Sequence, residues 1–464
     1  MANQDTIVAL ATASGNGAIA VIRVSGTDAI TIVNRVFRGK DLSTQASHTI
    51  HFGTIRDGDE VIDEVLVSLF AGPNSYTGEN SVELSTHNSR YIIERIIQLL
   101  ISQGARAARP GEFTLRAFLN GKMDLSQAEA VADVIASDSA ASHQVAMQQL
   151  RGGISNKLQQ LREQLINFTA LLELELDFSE EDVEFADREQ FIALIGELQS
   201  HISKLITSFA YGNAVKNGVP VAIIGKPNAG KSTLLNTLVD EERAIVSDIA
   251  GTTRDTIEEV ITLDGITFRF IDTAGLRETA DTIEAIGVNK AREKVRQAKI
   301  LLYLYDGMDS TADEVIEQVK GLYYPGLTVI LVRNKIDKEG GYQPNAMDRK
   351  IKDALFTRYS DSIVAISAKD SESVEGLKSE LVGKIRDMAV DDQQVITNTR
   401  HLEALKKALT ALKDVERGLG DLLPGDLLAH HVRDALRHIS SITGDIDVDR
   451  DILGTIFGKF CIGK

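Results

Sequence analysis

The chain has 464 residues, 43% hydrophobic and 25% charged, which is the composition of a folded globular protein and excludes wholesale disorder. Lys and Arg number 50 against 67 Asp and Glu, a formal charge of −17, so nucleic acid has to be met by a local basic face or a basic partner protein. A single cysteine, Cys461, excludes an internal disulfide or a cysteine metal cluster, and 5% aromatics without Trp argue against broad base stacking.

At roughly 150 residues per domain, the length predicts about three domains. Residues 1–120 read as an α/β domain. Ile19–Val24 and Glu64–Phe70 have strand composition, Asp28–Phe37 has helical spacing, and Gly72-Pro73-Asn74-Ser75 marks a turn. Tyr91–Gln103 sets Ile92, Ile93, Ile96, Ile97 and Leu100 on one side of an amphipathic helix. Residues 121–215 read as helical. Leu125–Ser142 is rich in helix formers, Leu158, Leu161, Leu165, Phe168 and Leu172 keep a helical period, and Phe191–Phe209 repeats it. Between them Glu173–Asp187 is dense in carboxylates, as a solvated helix end and loop would be.

Residues 216–383 alternate strands and helices. Val219–Ile224 is an unbroken apolar run, the mark of a parallel strand buried on both faces, and Phe268–Ile271, Ile300–Tyr305 and Leu327–Val332 are alike. The expectation is a doubly wound α/β domain. Residues 384–464 turn helical again through Leu402–Leu412 and Leu427–Ile442. The simplest organisation is one helical domain split in sequence, 121–215 and 384–464, with the doubly wound domain inserted. No apolar run approaches the roughly 20 residues of a membrane helix. Met1-Ala2-Asn3-Gln4-Asp5 lacks the basic start of a signal peptide, so a soluble cytoplasmic protein is expected.

Four motifs in the inserted segment carry chemistry. Gly225-Lys226-Pro227-Asn228-Ala229-Gly230-Lys231-Ser232, followed by Thr233, fits the phosphate loop G-x-x-x-x-G-K-[ST] between a buried strand and a helix. Its backbone N–H groups curl around phosphate oxygens, Lys231 reaches the β and γ phosphates, and Ser232 offers a hydroxyl to Mg²⁺. Asp272-Thr273-Ala274-Gly275 ends a strand about 40 residues later, where a carboxylate holds the Mg²⁺ shell and a glycine N–H senses the γ-phosphate. Asn334-Lys335-Ile336-Asp337 ends another strand. The Asp337 carboxylate suits the N1–H and 2-amino donors of guanine, whereas adenine would leave it unpaired at about 1–3 kcal/mol. Ser367-Ala368-Lys369 completes the base pocket. The set predicts a GTP-binding domain and resembles the translation-factor-related GTPases.

Ser247-Asp248-Ile249-Ala250-Gly251-Thr252-Thr253-Arg254-Asp255 occupies the place of a first switch loop, with Thr253 as a second Mg²⁺ hydroxyl. Leu276, directly after Gly275, replaces the water-orienting glutamine of Ras-like proteins, so hydrolysis is either feeble or served by another group. The Asn228 carbonyl, with carbonyls of the switch loop, can hold a monovalent cation that does the charge work of an arginine finger.

From end to end the chain resembles the MnmE (TrmE) family of tRNA-modification GTPases, within the TrmE-Era-EngA-like group. The resemblance rests on Asp5-Thr6-Ile7-Val8-Ala9, Pro73-Asn74-Ser75-Tyr76-Thr77-Gly78-Glu79, Ala108-Arg109-Pro110-Gly111-Glu112-Phe113-Thr114, Lys122-Met123-Asp124-Leu125-Ser126-Gln127-Ala128-Glu129-Ala130, Gly251-Thr252-Thr253-Arg254-Asp255 and Phe460-Cys461-Ile462-Gly463-Lys464. It implies modification of C5 of the wobble uridine of certain tRNAs with a flavoprotein partner, MnmG (GidA), in a heterotetramer or larger complex. A carboxymethylaminomethyl or aminomethyl group is added, from a folate one-carbon unit and glycine or ammonium. It also implies a homodimer whose N-terminal domain takes 5,10-methylenetetrahydrofolate or 5-formyltetrahydrofolate through Arg23, Glu83, Lys122 and Lys464. The implied potassium ligands are Asn228, Ser247, Ile249 and Thr252, with G-domain dimerisation, and the implied water-positioning acid is Glu284. Where the family usually carries His-Gly-Gly, this chain has His87-Asn88-Ser89; glycines there permit φ > 0 or close approach, and Asn88 can adopt φ > 0 at some cost. The rival reading is a GTP-dependent ribosome-assembly switch, which appends an RNA-binding module such as a KH domain after its GTPase domain.

Overall fold

The computed structural model describes residues 5–13, 15, 17–177, 188–242, 259–271, 292–293, 295–340, 343–356, 358–360, 362–388, 394–421, 423 and 425–444. They belong to two compact units. One takes in Met1–Ile135, Gln149–Gly196 and Lys407–Lys464, the other Ala136–Gln148 and Glu197–Lys406.

The first unit opens with β1 (Ile7–Leu10), β2 (Ile19–Ser25), α1 (Ala29–Val36) and β3 (Phe37–Arg38). The hairpin β4 (Thr49–Asp57) and β5 (Glu60–Phe70) follows, then β6 (Ser81–His87), α2 (Arg90–Ser102), β7 (Arg106–Ala107) and α3 (Glu112–Leu119). Among the described residues these strands make one seven-stranded sheet, β3-β4-β5-β6-β2-β1-β7, antiparallel except where β1 meets β7. Alternation sends Ala20, Ile22, Val24, Val82 and Leu84 into a core shared with Ile93, Ile96 and Leu100 of α2. It leaves Arg23 and Glu83, paired in register, off that core.

The helix expected over Leu125–Ser142 is two helices, α4 (Leu125–Ala136) and α5 (Ala140–Leu150). The cause is Ser139, whose Oγ accepts the Ser142 N–H at 3.2 Å while the Ser142 hydroxyl donates to Ser139 O at 3.0 Å. That capping geometry starts a new helix in place of continuing the old one. Next come α6 (Gly153–Asp177) and α7 (Arg188–Asn217). Of the acidic stretch, residues 178–187 lie outside the described residues.

The second sheet is built from β8 (Val219–Gly225), α8 (Lys231–Glu242), β9 (Glu259–Leu263), β10 (Ile266–Phe270) and β11 (Ile300–Asp306). It continues with α9 (Ala312–Leu322), β12 (Thr328–Asn334), α10 (Ala346–Leu355), β13 (Ser362–Ala365) and α11 (Ser371–Arg386). The order is β13-β12-β11-β8-β10-β9, parallel except for β9 against β10. Val219, Val221 and Ile223 pack on one face with Leu234 and Leu238 of α8 and Leu377 and Leu381 of α11. Leu301, Tyr303 and Tyr305 pack on the other with Val315 and Val319 of α9 and Ile351 of α10. Both faces are covered, which is why these strands read as continuous apolar runs. Such a sheet presents its ligand site at the carboxyl ends of its strands, here the segments after Gly225, Asp306, Asn334 and Ala365.

Two helices close the described chain, α12 (Thr399–Gly420) and α13 (Gly425–Thr443). In the first unit α6 packs along α13, and Arg162 Nε donates to Ser440 Oγ at 2.6 Å. Helices from before and after the second sheet's sequence thus share one core, with Leu158, Leu161 and Leu165 buried on α6 and Val432, Ala435 and Ile439 on α13.

Candidate functional site

Residues 226–230 turn from the end of β8 into α8. Asn228, at φ 60°, and Gly230, at φ 96°, both take left-handed backbone conformations. Glycine is needed at 230 for space as well, because an added Cβ would run into Nδ2 of Asn334. Lys231, the first residue of α8, folds back so that Nζ donates to the carbonyls of Gly225 at 2.9 Å and Lys226 at 2.8 Å. Burial lowers its pKa. Among the described residues no carboxylate pairs with it. A half-buried ammonium held on carbonyls, at the positive end of a helix with Ser232 and Thr233 in the first turn, is set for a polyanion.

Asn334 ends β12 and is 1% exposed. Its Nδ2 donates to Ala229 O at 2.7 Å, and its Oδ1 accepts the N–H of Lys335 at 2.8 Å and of Ala368 at 2.9 Å. One amide thereby joins the phosphate loop, its own turn and the segment after β13. Lys335 follows at φ 69° and pairs with Asp306 at 2.9 Å. The 3-10 turn Ile336–Glu339 then carries Asp337, and Ile336 N–H donates to Ile366 O at 3.3 Å.

An open pocket of about 170 Å³ lies among these segments. It brings together Gly230 and Thr233, Asn334, Lys335 and Asp337, and Ser367 and Ala368, all singled out by sequence. Lys369, of the same predicted Ser367-Ala368-Lys369 segment, lines it too, as does Lys338. Thr237, one turn beyond Thr233, donates its hydroxyl to Ala368 O at 2.6 Å and supports the pocket wall. Only its helical spacing from Thr233 could have signalled that role. With an ammonium and helix N-terminus in one segment and the Asp337 carboxylate in another, the described residues fit a nucleoside phosphate whose base presents paired N–H donors.

In the first unit, Arg23 donates from Nε to Glu83 Oε1 at 2.9 Å, and its Nη2 lies 2.9 Å from the same oxygen. The guanidinium lies 5.3 Å from the ring centroid of Tyr76 and 5.7 Å from that of Phe113. The Tyr76 hydroxyl shares a 2.8 Å hydrogen bond with Thr114 Oγ1, and burial raises its pKa. Lys122 is exposed, and its Nζ donates to Pro73 O at 3.0 Å. Arg116, buried, holds Glu79 at 3.2 Å, Asp5 at 2.7 Å and Glu112 at 3.2 Å, which fixes the loop that carries Tyr76. Arg23, paired with Glu83, and Lys122 thus both reach the Pro73–Tyr76 segment, two cations and a carboxylate suited to a ligand with both carboxylates and N–H donors.

Asn88 stays out of the left-handed region. Its Nδ2 donates instead to the carbonyls of Gly15 at 2.9 Å and Gly17 at 3.0 Å, so the side chain clamps the connection between β1 and β2. Ser247, Asp248, Ile249, Ala250, Gly251, Thr252, Thr253, Asp272, Thr273, Ala274, Gly275, Leu276, Glu284, Cys461 and Lys464 lie outside the described residues. Among the described residues no helix is long and apolar enough to cross a membrane, and no cluster of His, Cys, Asp and Glu is suited to a metal ion.

The family model "GTP-binding protein TrmE N-terminus" matches residues 6–122, and "MnmE helical domain" matches residues 125–461. Proteins called tRNA modification GTPase MnmE are similar over full length. That of Flavobacterium johnsoniae is 53% identical over 473 residues, covering 100% of both chains. That of Flavobacterium psychrophilum is 52% identical with the same coverage. That of Porphyromonas gingivalis is 48% identical over 469 residues, covering 100% of this chain and 98% of the other.

Proposed function

The chain belongs to the MnmE family of tRNA modification GTPases, and from that premise we propose a specific chemistry for it: GTP hydrolysis coupled to modification at C5 of the wobble uridine of tRNA. The observation that carries the nucleotide half is the Asn334 amide, which ties the phosphate loop to the turn bearing Asp337 and to the Ala368 segment. Phosphates and base are then read by one rigid frame.

In this reading Asn228–Thr233, Ser247–Thr253 and Asp272–Gly275 bind the phosphates, while Asn334, Lys335, Asp337, Ser367 and Ala368 bind the base. Lys231 neutralises phosphate charge and exchanges carbonyl partners for phosphate oxygens. Asp337 accepts from the guanine edge. Ser232 and Thr253 would hold Mg²⁺, and Asn228, Ser247, Ile249 and Thr252 would hold K⁺; these ions supply positive charge at the β and γ oxygens. Glu284 orients the attacking water, the part that Leu276 cannot play. In the first unit Arg23, Glu83, Lys122 and Lys464 hold a reduced folate, which supplies the one-carbon unit. Arg23 fixes the Glu83 carboxylate to accept pterin N–H donors, and the lysines meet the folate's carboxylates.

The proposal includes domain boundaries at 1–120, 121–215, 216–383 and 384–464, a homodimer, the flavoprotein MnmG and tRNA as partners, and a cytoplasmic location consistent with one cysteine. The ribosome-assembly alternative is less favoured. The described residues from 399 on form α12 and α13, with no strand among them, whereas a KH-type module needs a sheet. The test of the pocket is Asp337→Asn. GTP binding falls and xanthosine triphosphate binding rises, because xanthine presents a carbonyl where guanine presents an amine. An unchanged preference in paired titrations would falsify the assignment.

A further inference from the structure

Behind the base-side turn lies a buried charge cluster that no motif predicts. Arg333, immediately before Asn334 on β12, is 2% exposed. Its Nη1 donates to Oδ2 of Asp348 at 2.7 Å, and its Nη2 donates to Oε2 of Glu339. Asp348 is 1% exposed and forms a capping box with Asn345 at the start of α10. Glu339 is the last residue of the 3-10 turn that carries Asp337. One planar guanidinium therefore joins a strand, a turn and a helix start. Gly307, next after β11, leaves the room for it, since an added Cβ would lie 2.6 Å from both Arg333 Nε and Glu339 Oε1. Burial opposes the charge on Arg333, yet Glu339 and Asp348 together raise its pKa above the ordinary arginine value.

We propose that Arg333 is a positioning residue for guanine selection: by gripping Glu339 from inside the domain it fixes the turn whose Asp337 lines the pocket. A single 3-10 turn is a weak element by itself. Discrimination by a carboxylate requires its oxygens to be held within about 0.5 Å of the positions from which they accept the base's N–H donors. Asn334 aligns the front of the turn through Lys335 N–H, and Arg333 holds its far end through Glu339, so Asp337 sits between two fixed points. Removing Arg333 strands two carboxylates without their counter-charge, whereas removing the Glu339 charge leaves Arg333 paired with Asp348 and releases only the turn.

The inference rests on the guanine reading of the pocket, and its test separates the two. In the full-length protein, calorimetry measures binding of GDP and of inosine diphosphate, which lacks the 2-amino group. Glu339→Gln removes the charge that Arg333 grips, and Gly307→Ala wedges the pair. Each lowers the preference for GDP over inosine diphosphate by about tenfold. Arg333→Lys, which keeps the charge without the two-armed fork, falls between wild type and Arg333→Met. A cluster that only stabilised the fold would lower both affinities and the melting temperature together and leave the ratio at the wild-type value, which overturns the proposal. Asp337→Asn, tested with GDP and xanthosine diphosphate, is the control. If it switches base preference while Glu339→Gln and Gly307→Ala keep the wild-type ratio, the positioning role fails and the pocket stands. If it does not switch, the pocket reading fails and the positioning role with it.

Discussion

Asn334→Ala tests the frame on which nucleotide binding is argued to depend. The substitution removes three hydrogen bonds, one to Ala229 O and two from the N–H groups of Lys335 and Ala368, at a side chain that is 1% exposed. At about 1 kcal/mol net for each bond, the loss is about 3 kcal/mol. Other attachments remain, Leu234 N–H to Gly230 O at 2.9 Å, Ile336 N–H to Ile366 O at 3.3 Å and the Thr237 hydroxyl to Ala368 O at 2.6 Å, so the loops persist while the direct tie between the phosphate loop and the base-side turn does not. The loss therefore falls mainly on nucleotide affinity, and about 3 kcal/mol corresponds to roughly a 150-fold rise in Kd. Asn334→Asp is the sharper control. It keeps one acceptor oxygen but turns the second against Ala229 O, a carboxylate facing a carbonyl in a buried place, and weakens binding at least as much. The assay is GDP titration by fluorescence or calorimetry, with thermal unfolding in parallel. A Kd within about threefold of wild type for both variants would refute the view that this amide is the frame.

Three further outcomes are expected. Arg23→Ala and Lys122→Ala weaken 5-formyltetrahydrofolate binding by calorimetry and leave GTP affinity unchanged; equal folate binding by wild type and both variants removes these residues from the site. GTP turnover is faster in K⁺ than in Na⁺ at equal ionic strength, G domains associate in a transition-state mimic with K⁺, and Glu284→Ala loses most turnover while keeping that association. Identical rates in the two salts, with G domains apart, would leave Arg277 or a partner-supplied group as the source of the missing charge. The third is acid sensitivity. Burial of Glu112 opposes its charge, but Arg106, the Arg109 N–H and Arg116 outweigh it, and Arg106 and Arg116 act likewise on Asp5, so both carboxyls titrate below their ordinary values of 4.5 and 3.8. Folded values below unfolded ones mean that this stability is complete above about pH 4.5 and is lost as pH falls through the folded values. Thermal melts from about pH 6 to pH 3 should fall steeply at the acid end for wild type and less so for Glu112→Gln, and parallel curves would contradict the assignment.

The strands of the second sheet were legible because burial on both faces writes itself as unbroken apolar sequence. Val219–Ile224 is found as Val219–Gly225 and Ile300–Tyr305 as Ile300–Asp306. The first sheet hid several strands. On β4, Ile50 and Phe52 are 65% and 66% exposed while His51 is buried, so apolar residues stand on both faces and only Ile55 marks the inner one. On β6 the outward Glu83 and Ser85 break up the apolar signal of Val82 and Leu84, and β1 is only four residues long. At the site, contiguous motifs named the pocket residues, since a phosphate loop and a base-reading turn each need neighbouring residues in fixed order. The bonds that hold those motifs together join residues distant in the chain. Asn334 reaches Ala229 across 105 positions, and Arg116 reaches Asp5 across 111. Pairings at such separations leave no periodic or local mark, so the parts were readable and the frame was not.

The claim that most needs testing is that GTP at this pocket serves wobble-uridine modification. Cells deleted for the protein are complemented with wild type, with Lys231→Ala or with no gene, and their tRNA is digested to nucleosides for mass spectrometry. The account predicts that C5-modified wobble uridines disappear on deletion, return with wild type and stay absent with Lys231→Ala. Unchanged wobble uridines in the deleted cells would contradict it and return the chain to the ribosome-assembly reading.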